Sequence, residues 1–183
     1  MLGSLASLEV PLWQAAAVGG IAYVAGRVWQ NKQQPAAAEE PAVIEEPAET
    51  KEQAEENKEH VALVKREGAK MVLVVRTDLG MSGGKVASQC AHATLECYRA
   101  AAQHAPQQLR IWERYGQAKV TVKGRSEDEM QQLEAHAASL GLVAHAFRDD
   151  GRTQVAPGAL TVLAVGPGPV SVVDKVTGHL KLY

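Results

Sequence analysis

A strand, a glycine-containing loop and a long helix follow one another between Met71 and Arg99, and this succession constrains the fold more than any other stretch. Residues 71–75 are apolar without interruption, a pattern typical of a strand that is covered on both faces. The helix, which we expect from about Lys85 to His104, carries small side chains at helical spacing and can lie close against a sheet. The stretch therefore predicts an α/β domain built around this strand.

The predicted helix also has a polar face. Lys85, Gln89, His92 and Glu96 follow one another at intervals of three or four residues, so their side chains project from one side of the helix. A lysine in the first turn opposes the helix dipole, unless an anion docks between its ammonium group and the free N–H groups of the helix start. This position predicts an anion-binding site. The alternative is a solvated polar face on which the lysine has no function.

The Gly84-Lys85 pair at the start of a helix also raises the question of a nucleotide-binding P-loop. That motif needs a first glycine five positions before the second, and a Ser or Thr directly after the lysine. Here Gly80 is one position too close, and Val86 stands where the magnesium-binding hydroxyl would be. We therefore exclude a P-loop.

The remainder of the chain alternates between predicted helices and strands, which favours an α/β sandwich around a sheet. A capping box formed by Ser126 and Glu129 opens one of these helices, and Gly141 ends it. The other predicted elements are a helix over 106–115, strands over 118–122, 143–147 and 161–165, a rigid turn at Gly166-Pro167-Gly168-Pro169, a short helix over 169–176 and an edge strand over 179–183.

Two segments precede this domain. Residues 1–30 contain an apolar run with Trp13 and Trp29 near its ends, about 24 Å apart along a helix, and we interpret this run as a candidate membrane anchor. An Ala- and Gly-rich tail is the alternative. Residues 31–69 are acidic and rich in Pro, Ala and Glu, a composition that predicts a flexible linker, although 52–66 is also compatible with a short charged helix.

The charges are unevenly distributed along the chain. Residues 31–68 hold 5 Lys and Arg against 10 Asp and Glu, whereas residues 69–183 hold 13 against 10. The predicted domain is therefore mildly basic, which permits a nucleic-acid partner. Cys90 and Cys97 lie two helical turns apart, too far for a disulfide. The histidines form no spaced ligand set with them, so we expect no metal site and no cofactor.

The motifs of residues 70–183 together resemble the type 2 peptidyl-tRNA hydrolases, the archaeal and eukaryotic class. The resemblance covers about 114 of the 183 residues and makes 70–183 a peptidyl-tRNA hydrolase-like catalytic domain. The matching runs are 71–76, Gly84-Lys85-Val86-Ala87, 89–93, Gly116-Gln117, Gly151-Arg152-Thr153-Gln154, Ala156-Pro157-Gly158, 166–169 and 174–183.

The resemblance implies a three-layer α/β/α fold, with a mixed sheet of four or five strands flanked by helices. It also implies hydrolysis of the ester that joins a peptide to the 3′ ribose of tRNA, a step of translation and ribosome rescue. The family's proposed catalytic positions fall on Lys85, Asp149, Thr153 and Thr161, and its substrate-binding positions on Arg76, Gln89, His92 and Arg152.

Two features of the sequence bear on these implied roles. The family's loop usually reads Met-Gly-Lys-Gly-Lys, whereas this chain has Met81-Ser82-Gly83-Gly84-Lys85 and lacks one lysine. Loops at the strand ends of such a sheet converge on one rim, so Lys85 and Asp149 are expected to face one cleft. The chemistry leaves roles open: Lys85 can stabilise an oxyanion or hold a phosphate, and Asp149 or His92 can activate water.

The expected partner is peptidyl-tRNA, not DNA, and the oligomeric state stays open, with a homodimer among the alternatives. A binding or adaptor protein that keeps the hydrolase fold and is tethered to a membrane is the alternative to an enzyme. We expect a cytosolic catalytic domain, either tethered to a membrane such as the mitochondrial outer membrane or soluble in the cytosol.

Overall fold

The computed structural model describes residues 51–151 and 154–183. Residues 1–50, with the candidate anchor and the first part of the expected linker, lie outside them, as do Arg152 and Thr153. Within the described ranges, no helix is both long and apolar enough to span a bilayer. The elements in chain order are α1 (Lys51–Glu67), β1 (Ala69–Arg76), α2 (Gly83–His104), α3 (Pro106–Arg114), β2 (Lys119–Gly124), α4 (Glu127–Ser139), β3 (Ala144–Arg148), β4 (Leu160–Pro169) and α5 (Val170–Thr177).

The four strands form one mixed sheet in the order β2-β1-β4-β3. β1 runs parallel to β2 and antiparallel to β4, and β3 is antiparallel to β4. The expected strand over 179–183 is reduced to a single bridge between Val122 and Leu182, flanked by backbone hydrogen bonds from Lys123 and Tyr183. The prediction of a mixed sheet with four or five strands is therefore confirmed, with four full strands.

Each face of the sheet is covered by a layer of helices, as the uninterrupted apolar run of β1 predicted. Met71, Leu73 and Val75 pack with α2, α3 and part of α1, whereas Val72 and Val74 pack with α4 and α5. On the first face, α2 contributes a fully buried stripe of small side chains, namely Ala93, Cys97 and Ala101. The three-layer α/β/α arrangement is confirmed.

The helix α1 changes the predicted domain boundary. Residues 51–67 form a helix that belongs to the compact unit of the sheet, so the expectation of a flexible linker throughout 31–69 is wrong for this part. The shorter prediction of a charged helix over 52–66 is confirmed. The helix is held to the domain by His60 and Val64 in its second half, both of which are buried. Its overall Glu- and Lys-rich composition does not indicate this burial.

The predicted turn at Gly166-Pro167-Gly168-Pro169 is also wrong, since β4 continues to Pro169 and its last residues pair with Ala69 and Lys70. The glycines serve close packing instead of chain reversal. A Cβ on Gly166 would lie 2.6 Å from the carbonyl oxygen of Lys70, and one on Gly168 would lie 2.5 Å from Leu142 Cδ2. Glycine inside a strand commonly marks such a close approach.

Candidate active site

The candidate site lies where the start of α2 meets the end of β3 and the start of β4. Ser82 caps α2 by accepting a hydrogen bond from the Lys85 backbone N–H at 3.4 Å. Ser82 also exchanges two hydrogen bonds with the Gln154 side chain, each 2.9 Å long. These bonds join the loop before α2 to the loop after β3, so the start of α2 with Lys85 and the loop with Asp149 are held together.

The Lys85 ammonium group and the Asp149 carboxylate form an ion pair through Asp149 Oδ2. The same oxygen accepts a hydrogen bond from Gln89 Nε2 at 2.8 Å, and Oδ1 accepts one from the Gly151 N–H at 2.7 Å. The side chains of Lys85 and Asp149 are only 12% and 10% exposed. This geometry confirms the expectation that Lys85 and Asp149, 64 positions apart in sequence, meet at one rim of the sheet.

The surroundings of Asp149 favour its ionised form. The hydrogen bond from Lys85 holds the pKa of the Asp149 carboxyl below its usual range, and the Gly151 N–H and Gln89 amide act in the same direction, against desolvation. Three donors, one of them the Lys85 cation, stabilise the carboxylate more than the neutral acid. Asp149 is therefore a carboxylate at neutral pH.

Gln89 links this pair to the sheet. Its amide nitrogen donates to Asp149, and its amide oxygen accepts a hydrogen bond of 2.7 Å from Thr161 Oγ1. This orientation is chemically required, because an amide oxygen facing the carboxylate would place two acceptors together. Lys85, Asp149, Gln89 and Thr161 thus form one continuous chain, which we call the Lys85–Thr161 chain.

A register shift aims Thr161 at α2. Phe147 pairs with Val162 and Arg148 pairs with Leu160, so Thr161 is an extra residue in β4. In regular alternation Thr161 would face away from Val162, which packs on the α2 side. A bulge places consecutive residues on one face and re-aims a side chain. Thr161 is fully buried beside Gln89 as a result.

The structure separates the predicted site residues by exposure. Gln89 is 2% exposed, so its side chain is enclosed and differs from the substrate-contacting role expected of it. His92 is exposed on the same helix, and its ring stacks on Phe147 at 5.1 Å between centroids. The Lys85 side chain reaches the surface in part, so Lys85 and His92 are the predicted site residues on this helix that solvent can reach.

Arg76 lies outside the Lys85–Thr161 chain, in a separate ion-pair cluster. Its guanidinium donates to Asp78 at 2.6 and 3.0 Å, to Glu127 at 3.0 Å and to the Leu160 carbonyl at 3.3 Å. These partners occupy most of its donors, so the geometry assigns Arg76 to linking β1, α4 and β4 instead of the expected substrate contact. The predictions for Arg152 and Thr153 concern residues outside the described ones.

Sequence reasoning missed the contribution of Ser82 and Gln154. Ser82 directly precedes a helix, which is the signature of an N-cap and could have been recognised. The Ser82–Gln154 contact spans 72 positions, and no local pattern predicts it. The stacking of Phe147 on His92 was likewise not predicted from any local pattern.

Comparison with known proteins gives matches that span these residues. A family model described as "Peptidyl-tRNA hydrolase PTH2" matches residues 69–183. A Schizosaccharomyces pombe protein named "Probable peptidyl-tRNA hydrolase 2" is 56% identical over 128 residues, which are 69% of this chain and 62% of that protein. The human protein "Peptidyl-tRNA hydrolase 2, mitochondrial" is 54% identical over 114 residues, which are 62% of this chain and 64% of that protein.

An archaeal relative is matched over nearly its whole length. "Peptidyl-tRNA hydrolase" of Thermococcus onnurineus is 46% identical over 113 residues, which are 62% of this chain and 96% of that protein. The chain thus spans less than two thirds of the length of the fission yeast and human relatives. The segment shared with the archaeal protein corresponds in length to the sheet and the helices that follow α1.

Proposed function

The chain belongs to the peptidyl-tRNA hydrolase PTH2 family, and from this premise we propose that it hydrolyses the ester between a peptide and the 3′ ribose of tRNA. The observation that carries the proposal is the buried Lys85–Thr161 chain, which presents one lysine at the protein surface from an otherwise enclosed set of polar groups. Hydrolysis frees both tRNA and peptide, and so returns tRNA to translation and relieves stalled ribosomes.

Lys85 is the residue that we assign to the reacting ester. Ester hydrolysis passes through a tetrahedral intermediate whose oxyanion needs a fixed donor or cation. The Lys85 ammonium group is fixed by its ion pair with Asp149 and retains donors for a second acceptor, since an ammonium group has three N–H bonds. A pre-oriented cation needs no reorganisation when charge develops on the substrate.

Asp149 acts as a positioning residue in this proposal. A general base works best when its pKa lies near the operating pH, whereas the pKa of Asp149 is lowered and both its oxygens already accept hydrogen bonds. Taking a proton from water would neutralise Asp149 and so weaken its ion pair with Lys85 and the hydrogen bonds that it accepts. The exposed imidazole of His92 is the better candidate for accepting the proton.

Gln89 and Thr161 hold the Lys85–Asp149 pair in position from the buried side. Thr161 is fully buried and touches Gln89, and Gln89 holds Asp149, so neither meets substrate directly. Buried polar networks in which every member has a partner fix a single geometry. Thr153, which lies outside the described residues, remains the fourth catalytic position proposed on the family resemblance.

The test is a single-turnover assay with purified peptidyl-tRNA, in which free tRNA is measured over time. The wild-type chain should release tRNA, and Asp149→Ala should slow release by about 10²-fold or more, because Lys85 loses its anchor. Asp174→Ala removes a carboxylate from the ion pair with Lys70 and serves as the matched control. Tight tRNA binding without any turnover by the wild type would favour an adaptor role.

We also propose that residues 1–30 tether the protein to a membrane and that 31–50 serve as a spacer. The supporting observations are the apolar run with flanking tryptophans and the word "mitochondrial" in the names of the human, mouse and cattle relatives. Fractionation of cells without detergent tests this proposal. Membrane-bound full-length protein that becomes soluble when residues 1–30 are removed would support it, and soluble full-length protein would contradict it.

A further inference from the structure

A positively charged groove lies between α1 and α3, away from the candidate active site. It consists of two adjoining depressions of about 440 and 300 Å³, which share Val61 and Gln107 in their lining. We call this feature the α1–α3 groove. Its cations come in pairs from the two helices, Lys58 and Lys65 from α1 and Arg110 and Arg114 from α3.

All four cations of the α1–α3 groove are exposed. Among residues 51–151 and 154–183, none of the four forms an ion pair or a hydrogen bond. No acidic side chain of the described residues lines either depression. This contrasts with Lys70, Arg76 and Lys85, each of which is paired with a carboxylate. The lining of the groove therefore carries four cations that form no ion pair with a described residue.

The groove is separated from Lys85 by the length of α2. This helix has 22 residues, which correspond to about 33 Å. Lys85 stands in its first turn, whereas Ala105 and Pro106, which directly follow its last turn, line the groove. A ligand that touches both places must therefore be long. One small ligand cannot occupy the groove and also contact Lys85.

We propose that the α1–α3 groove binds the phosphate backbone of the tRNA stem while the 3′ end lies at Lys85; this inference rests on the proposed function. Cations at i and i+7 on α1, and at i and i+4 on α3, line both sides of the groove. Exposed Lys and Arg side chains at repeated spacing suit the regularly spaced phosphates of a nucleic acid. Tyr115, which is 70% exposed, also lines the groove.

The chemistry of the groove favours RNA over an acidic peptide. Most of the binding energy of a protein interface comes from a few aromatic, apolar or Arg anchors that fill well-packed pockets. The apolar lining here is limited to Val61, Ile111, Tyr115 and a few small residues, and the groove is open to solvent. Backbone phosphates need only accessible cations, without a pocket. Half of these cations belong to α1, which lies before the matched residues 69–183. The helix thus extends the tRNA-binding surface of the shared domain.

The first experiment measures the affinity for uncharged tRNA at several salt concentrations. Arg110→Gln combined with Arg114→Gln should weaken binding at least tenfold at about 0.1 M salt. The slope of log K against log salt should become shallower by about 2, because two phosphate contacts are lost. Lys58→Gln with Lys65→Gln should behave alike. Lys175→Gln with Lys181→Gln removes the same charge outside the groove and should change affinity less than twofold.

The second experiment compares peptidyl-tRNA with a short 3′-terminal peptidyl oligonucleotide that lacks the stem. The Arg110/Arg114 double variant should raise KM for peptidyl-tRNA about tenfold, leave kcat unchanged and hydrolyse the short substrate like the wild type. Equal behaviour of this variant and the wild type towards tRNA would overturn the proposal. So would groove-dependent binding of a poly-glutamate peptide with unchanged tRNA affinity, which would identify an acidic protein segment as the partner.

The two proposals fail in distinguishable ways. If the wild type hydrolyses neither substrate but binds tRNA through the groove, the proposed function is wrong and the groove assignment stands. If both substrates are hydrolysed and tRNA affinity ignores the groove variants, the function stands and the groove assignment is wrong. Thermal unfolding of each variant verifies folding, and exposed side chains of this kind should leave Tm unchanged.

Discussion

The two ends of α2 use cations in opposite ways. At its start, Lys85 is enclosed, ion-paired with Asp149 and connected through Gln89 to the sheet. Beyond its end, Arg110 and Arg114 are exposed and make no ion pair among the described residues. A fixed cation can stabilise charge at one atom, whereas free cations attract a polyanion over a surface. This contrast assigns the chemical step to the start of α2 and the binding of tRNA to the α1–α3 groove beyond its end.

The energetic consequences of substitution should differ between the ends. Removing one partner of a buried hydrogen-bonded pair leaves the other unsatisfied, at a cost of about 1–3 kcal/mol in the free energy of unfolding. Removing an exposed cation leaves no unpaired group behind, so stability changes little. Variants at the start of α2 should therefore change turnover and stability, and variants in the groove should change affinity alone.

The largest effect should follow loss of the Lys85 ammonium group. Lys85→Ala should lower kcat by about 10²-fold or more, because the developing oxyanion loses its cation. Lys70→Ala is the matched control, since Lys70 is also paired with a carboxylate, Asp174, but at the opposite end of β1. Comparable activity in the two variants would mean that Lys85 serves only as a structural ion-pair partner.

A smaller effect should follow from loss of the Thr161 hydroxyl. Thr161→Val removes the donor to Gln89 Oε1, so kcat should fall about tenfold and the free energy of unfolding by about 1–3 kcal/mol. Thr161→Ser keeps the hydroxyl and should restore most of kcat, although the lost methyl group still reduces stability. If the serine variant were as slow as valine, packing and not the hydrogen bond would explain the effect.

The pH dependence of stability tests the charge of Asp149. Its pKa is lowered in the folded protein, so its contribution is fully present above its ordinary pKa near 4 and is lost as pH falls through the lower, folded-state pKa. The difference in unfolding free energy between the wild type and Asp149→Asn should be constant from about pH 5 to 8 and shrink below about pH 4. A difference that already changes between pH 6 and 7 would contradict this assignment.

The smallest effect concerns His60, on the helix that forms one side of the groove. Its Nδ1 is buried and has no hydrogen-bond partner among the residues that the structure describes. Burial lowers the pKa of the imidazole and Lys175 acts in the same direction, whereas Glu56 and Glu59 raise it. Neutral His60 is tolerated above about pH 6.5, and stability should fall as pH drops below this value, because the unfolded chain binds the proton first.

Hydrogen exchange in α1 at pH 7.5 and 5.5 measures this effect. After correction for intrinsic amide exchange, which is slower at the lower pH, the protection of α1 should be smaller at pH 5.5. His60→Phe should remove the difference between the two pH values, since phenylalanine does not titrate. An unchanged pH response in His60→Phe would assign the effect to another group.

Several elements were predictable because their signals are local. The uninterrupted apolar run 71–75 indicated the central strand, and Ser126 with Glu129 indicated the start of α4, where Ser126 does cap the helix. The convergence of Lys85 and Asp149 followed from the rule that loops at strand ends meet at one rim. These inferences needed no knowledge of side-chain contacts.

Other features depended on tertiary structure. The family resemblance placed Gln89 among the substrate-binding positions, whereas its side chain is buried and bonds to Thr161 of β4. The direction of the Thr161 side chain depends on one extra residue in β4. The alternation of residues along a strand does not reveal such an extra residue. The Gly-Pro sequence at the end of β4 has the composition of a turn, whereas its glycines provide room for the Lys70 carbonyl and the Leu142 side chain.

The most direct test of the division between the two ends of α2 is the single-turnover rate constant at saturating enzyme. Saturation removes differences in affinity, so only the chemical step is compared. The account predicts that Lys85→Ala slows this rate constant by about 10²-fold or more, while Arg110→Gln combined with Arg114→Gln leaves it within twofold of the wild type. A wild-type rate constant in Lys85→Ala, or an equal loss in the groove variant, would contradict the account.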